Sequence, residues 1–166
     1  MANKTHAIFN GTHCSYWDID SLNYVGFCAT SDLDNGVFVD LGNMSPNNDG
    51  AYEFTVTPST TSAEFVCATP PQGYGIDAQV YEDPRYFTNE AGKPISVKHL
   101  LKYDCIEVDK TAFTAEVGTG THAKVAAGGK LTAQANDTGA QFKIIGTHTI
   151  DCGKDVVATW ILQKIV

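Results

Sequence analysis

The feature that most limits what this chain can fold into is the spacing of its turn residues. Asn10-Gly11, Asn35-Gly36, Pro70-Pro71, Asp83-Pro84, Gly128-Gly129 and Cys152-Gly153 recur along it, and short runs rich in Val, Ile, Thr, Phe and Tyr lie between them. Glycine and proline break helices, whereas β-branched and aromatic residues fit a pleated surface. The chain therefore predicts an all-β fold. Strands are expected at 5–9, 23–30, 36–42, 51–58, 63–69 and 76–82, then at 105–109, 121–126, 130–134, 140–150 and 155–166. In 51–58 the alternation puts Tyr52, Phe54 and Val56 on one face and Glu53, Thr55 and Thr57 on the other. The 155–166 run is apolar on both faces, as in a central strand covered on both sides, and Trp160 within it reads as core. Helical turns are expected only at 59–64 and at 83–87, where Pro84 suits a first turn. Asn35-Gly36 reads as the turn of a hairpin.

A length of 166 residues predicts one domain. A sub-boundary is expected near 70–75, where two prolines precede a flexible Gln-Gly-Tyr-Gly stretch. Residues 1–22 stand apart from 23–166. They carry Phe9, Tyr16 and Trp17 among many polar residues with little alternation, and read equally as an extended N-terminal arm or as the first strand.

Charge narrows the function. The net charge is −8 and no cluster of lysine or arginine exists. Such a chain has little with which to neutralise phosphates, so neither nucleic acid nor an anionic membrane is an expected partner. Only 18% of residues are charged, a low density that suits surface meeting other protein. The five cysteines, Cys14, Cys28, Cys67, Cys105 and Cys152, are widely spaced and form no CxxC pair. Reduced thiols in a cytoplasm fit them better than a disulfide framework. No apolar run has the length of a signal peptide or of a membrane span, so synthesis in a cytoplasm is expected.

One stretch invites a catalytic reading. In "FTNEAGKPISVKHLLKYDCIEV", residues 87–108, Gly92-Lys93 imitates the end of a phosphate-binding loop. Such a loop is G-x-x-x-x-G-K-[ST], yet Phe87 stands where the first glycine belongs and Pro94 where the hydroxyl belongs. The stretch therefore reads as a turn over 89–92 with Lys93 solvated. Asp18 and Asp20 would share a strand face, without a third ligand nearby. Residues 45–56 fail as a calcium loop, because Ser45 starts it and Val56 sits where the bidentate glutamate belongs. His6, His13, His99, His122 and His148 match no ligand spacing. The aromatics Tyr16, Trp17, Tyr24 and Tyr74 read as core or interface, with a sugar-stacking platform as the alternative. No catalytic residue, cofactor or metal is nominated.

Several segments, in order, carry a resemblance. They are "SDLDNGVFVDLGNM" (31–44), "AYEFTVTPST" (51–60), "YEDPRYFTNEAGKPISVKHLLKYDCIEVD" (81–109), "VGTGTHAKVAAGGKLTAQ" (117–134) and the closing "FKIIGTHTI…VVATWILQKIV". Over residues 30–166 the chain resembles the capsid decoration, or cement, proteins of tailed phages that infect Gram-positive bacteria. That family favours a Gly-Asp step where this chain has Tyr103-Asp104, which bears on the local turn. The resemblance implies a compact barrel- or sandwich-like domain of the β-tulip type. It implies a structural virion protein, not an enzyme, made in the host cytoplasm and carried on the capsid exterior. Its partner would be the major capsid protein, with a homo-trimer as one arrangement. Ile8, Phe9, Tyr16 and Trp17 are the candidate capsid contacts, since aromatics dominate interface hot spots. The alternatives are a carbohydrate-binding β-domain of a head fibre or cell-surface protein, another virion part such as a tail tube or head–tail adaptor, and an enzyme assembled from distant Cys, His and Asp residues.

Overall fold

The computed structural model describes residues 6–71, 83–152 and 155–166. These residues form an all-β body of two units. The first is a closed barrel of β2 (Asn23–Phe27), β3 (Phe38–Pro46), β4 (Tyr52–Pro58), β5 (Phe65–Cys67) and β6 (Ile95–His99), in the order β2-β4-β3-β5-β6. Antiparallel pairing of β6 with β2 closes it, while β2 and β4 run parallel. The second is a six-stranded sheet of β1 (Phe9–His13), β7 (Cys105–Asp109), β8 (His122–Val125), β9 (Leu131–Gln134), β10 (Phe142–Cys152) and β11 (Asp155–Lys164), in the order β1-β7-β11-β10-β8-β9.

Period-two alternation divides the barrel strands between two cores. Val39 and Cys67 point into the barrel with Val56, Ile95 and Val97. Their neighbours Phe38 and Val66 point out, against the sheet, and join Leu100, Ile106, Val108, Phe142 and Leu162. Phe38 and Phe142 meet at 5.3 Å between ring centroids, so one aromatic pair spans the two units. Gly129 locks a second junction. Its N–H donates to Ser59 O at 2.8 Å, its φ is +70°, and a methyl group there would overlap the Phe38 carbonyl oxygen.

Several expectations move. The strand expected at 5–9 lies at 9–13 and runs through Asn10-Gly11. Gly11 is there because a Cβ would collide with the Tyr16 hydroxyl, not because the chain turns. Asn35-Gly36 does turn, with φ +81° at Gly36, but β2 and β3 on either side of it are not paired. Instead Asn35 is buried and clamps Thr69, giving a hydrogen bond to its carbonyl and taking one from its N–H. Residues 59–64 are not helical, because the Ser59 hydroxyl accepts the N–H groups of Thr61 and Ser62 and bends the chain. Residues 83–87 hold a single turn closed by Tyr86 N–H to Asp83 O. Among the described residues, one-turn helices lie at 15–17, 20–22, 110–112 and 127–129. The expected strand 76–82 lies outside the described residues, as does most of the expected boundary at 70–75. Pro70 and Pro71 follow β5 within the barrel half of the chain.

Leu101–Asp104 is a turn closed by Asp104 N–H to Leu101 O, and Tyr103 has φ +77°. That left-handed conformation costs an L-residue about 1–2 kcal/mol and suits glycine. Asp104 is buried. Its carboxylate accepts Leu101 N–H at 2.8 Å, Ser15 N–H at 2.9 Å and the Ser15 hydroxyl at 2.6 Å.

Candidate functional site

Residues 6–22 hold β1, paired with β7, and two one-turn helices laid against the body. Two of the four nominated contacts are core. Ile8 is 3% exposed and Tyr16 is 5% exposed, which leaves neither free to anchor a partner. Phe9 is half-buried over Gly36 and Val108. Trp17 remains open at 68% exposure. Asp18 and Asp20 lie in and beside the helical turns, not on a strand face.

Trp17 borders a groove of about 420 Å³ between β1, the 15–22 turns, the β2–β6 wall and the Thr69–Pro71 segment. Its indole N–H donates to Gly11 O at 2.8 Å, and its ring lies 5.6 Å from that of Tyr16. The exposed ring is thus held in place. Below it, Asn23 donates to the carbonyls of Tyr16 and Ile19, and its oxygen accepts the Lys98 ammonium at 2.6 Å. Lys98 also stands 5.6 Å from the Tyr16 ring centroid, and burial pushes its amine below the ordinary lysine value. Asp20 and Ser96 complete the polar lining. Such a groove can stack a ligand ring and hydrogen-bond its edge. Tyr24, another aromatic of the sugar-platform alternative, belongs to the barrel and packs edge-on to Phe54 and Phe65. Tyr74 lies outside the described residues.

A second feature is the β10–β11 hairpin. It is ten to eleven residues per strand, but β7 pairs only with Thr159–Gln163 of β11, and β8 only with Phe142 and Lys143 of β10. Past Ile145, β10 has no second strand beside it among the described residues. Ile145 (50% exposed) and Val156 (63%) are open apolar side chains on this ribbon. The ribbon is nonetheless braced. Arg85 donates to Cys152 O at 3.0 Å and to Asp155 at 2.6 Å while paired with Asp83 at 2.6 Å.

The Gly92-Lys93 stretch is a turn over 90–93, one residue later than expected, with Lys93 N–H donating to Glu90 O and Gly92 at φ +75°. It seats the tip of the β3–β4 hairpin. Gly92 O accepts Asn48 N–H, and Lys93 reaches Asp49 at 3.4 Å. Within the 45–56 stretch, Asn47 caps its own loop by accepting the N–H groups of Asp49 and Ala51. Asn89 falls outside the turn and is buried, donating to Leu33 O and Asn35.

No cluster of three or more His, Cys, Asp or Glu is placed to hold a metal ion among the described residues. Three histidines sit beside carboxylates: His6 with Asp34, His99 with Glu64 and His148 with Glu107. All five cysteines are free thiols, four of them buried. Burial, helped by the nearby Asp104, pushes Cys14 up to about 12. Burial also opposes ionisation of Cys28, yet the Ser31 hydroxyl and the N–H groups of Thr30 and Ser31 together hold it below the ordinary value.

Comparison of the chain with protein-family models, with curated proteins and with solved structures finds no match.

Two parts of these features escaped the sequence. Lys98 and Asp20 line the same groove only because β6 closes onto β2. The alternation Ile95-Ser96-Val97-Lys98 was nevertheless a strand signal that could have placed Lys98 on an outer face. The edge that β10 leaves uncovered among the described residues had no local signal, because it depends on β8 being short.

Proposed function

We propose that the protein decorates a phage head, binding the outer surface of the mature capsid and bridging major capsid subunits. The resemblance over residues 30–166 supports the reading. The observation that carries it is the braced β10–β11 ribbon. A strand edge with unpaired N–H and C=O groups is a template for strand addition, and main-chain hydrogen bonds along it give affinity. A soluble monomer usually blunts such an edge. Here no strand covers the edge among the described residues, Arg85 ties down the ribbon tip, and Ile145 and Val156 stay exposed, which lowers the ordering cost of docking. Each contact need contribute only a few kcal/mol where many copies share one shell.

The test is a mixing experiment. Purified protein is added to expanded, undecorated heads and to unexpanded proheads, and pelleted protein is quantified. Stoichiometric binding to expanded heads alone is expected, with loss of binding in an Ile145→Lys, Val156→Lys double variant. Both positions are exposed, so the variant should keep its fold. Absence of binding to either particle overturns the reading.

A further inference from the structure

We infer that the Trp17 groove is a carbohydrate-binding site for a run of neutral hexose or N-acetylhexosamine residues. It does not rest on the decoration reading, since none of the groove residues belongs to the β10–β11 ribbon.

Trp17 is held in an unusual way for a large apolar side chain at the surface. Here the indole N–H is spent on Gly11 O, while the ring stays 68% exposed. What remains for a partner is the ring face. A pyranose presents one face of C–H groups and a rim of hydroxyls, so it needs a fixed aromatic plane with hydrogen-bonding groups at the edge. The groove supplies that pairing. Trp17, Tyr16 and Phe9 give the apolar wall, and Asp20, Ser96 and Lys98 give the polar one. The Asp20 carboxylate can accept from one hydroxyl, and the Lys98 ammonium can donate to another. Lys98 uses one of its three N–H groups on Asn23, so others are left to donate. Asn23 is itself pinned by Tyr16 O and Ile19 O, which sets the position of the amine before any ligand arrives.

A proline-rich peptide would also like an aromatic groove. Its prolines bring no N–H for the Asp20 carboxylate to accept, and the indole N–H is already committed to Gly11 O. A volume of about 420 Å³ suits one to two sugar rings in a chain that continues beyond the groove.

The experiment follows the emission of Trp17 in a Trp160→Phe background, since the chain has two tryptophans. Three probes are titrated: maltohexaose, cellohexaose and the hexamer of N-acetylglucosamine. Saturable change with at least one is expected. Trp17→Ala, read by calorimetry, and Asp20→Asn should each weaken binding at least about tenfold, or about 1.4 kcal/mol. Both residues are exposed, and an unchanged urea midpoint shows that the fold is intact. No saturation with any of the three sugars overturns the inference. So does undiminished binding by Trp17→Ala, or binding of a deca-proline peptide at the same indole in place of the sugars.

Discussion

The barrel and the barrel–sheet interface are both fully buried, yet they are filled differently. The barrel interior is filled mostly by small side chains, Val37, Val39, Val56, Val97, Cys28 and Cys67 around Ile95 and Leu33, with Tyr24, Leu41 and Phe65 half-buried at its margin. The interface holds Phe38, Phe142, Phe113, Leu131 and Leu162, with Trp160 packed against them. A five-stranded barrel closes around a narrow bore, so only short side chains fit. The interface must fill the wedge between a curved wall and a twisted sheet, and large rings fill it. The lesson is that stability should be concentrated between the units rather than inside the closed one.

Substitution tests this most directly. Phe38→Ala or Phe142→Ala should cost about 3–5 kcal/mol, because each leaves a large cavity at a site fixed by two units. Val39→Ala, adjacent in sequence to Phe38 but facing the bore, should cost about 1.5–2 kcal/mol by methylene count. Urea unfolding of the three variants decides the matter. Equal costs would mean that the barrel interior carries as much as the interface.

The junction can be loaded instead of emptied. Gly129→Ala should destabilise by roughly 2–4 kcal/mol, from overpacking against the Phe38 backbone plus the left-handed φ. Gly50→Ala is the control, with φ +82° and open space around it. It should show only the conformational share, about 1 kcal/mol. If the two cost the same, the 127–129 turn does not seat against β3.

Tyr103 gives a change of the opposite sign. Tyr103→Gly should raise stability by up to about 1 kcal/mol, since relief at φ +77° outweighs the glycine entropy loss. The ring is 66% exposed, so little packing is given up. A destabilised variant would show that the Lys102–Tyr103 contact at 5.4 Å is worth more than the strain.

These sites also show what the sequence discloses. Strand β7 was legible residue for residue, and β4, β8, β9, β10 and β11 within two residues, because alternation and flanking turns are local signals. The parallel β2–β4 contact and the barrel closure were not, since they pair residues distant along the chain. Gly11 misled because glycine marks close approach as readily as a turn, and only the Tyr16 hydroxyl tells which. The same ambiguity governs the candidate contacts. Phe9, Tyr16 and Trp17 are alike in composition, but Phe9 lies on β1, and Tyr16 and Trp17 fall on opposite sides of a one-turn helix.

The smallest effect concerns the ribbon, which belongs to the sheet unit yet is braced by a segment preceding β6. Arg85→Met should leave the global urea midpoint nearly unchanged, because the distal ribbon contributes little buried area. Hydrogen exchange should instead rise about tenfold at Ile150–Cys152 and Asp155–Val157, an opening easier by about 1.4 kcal/mol. Acid gives the same result by another route. The hydrogen bonds and charge of Arg85 hold the Asp83 carboxyl below its ordinary value of 3.8. A depressed folded value means that its contribution is present above 3.8 and is lost as pH falls through the folded value. The brace should therefore persist through mildly acidic pH and fail only below about pH 4, first at the ribbon tip. Exchange at the tip that already rises between pH 6 and pH 5, or that rises equally in β7, would show that Asp83 and Arg85 do not hold the ribbon.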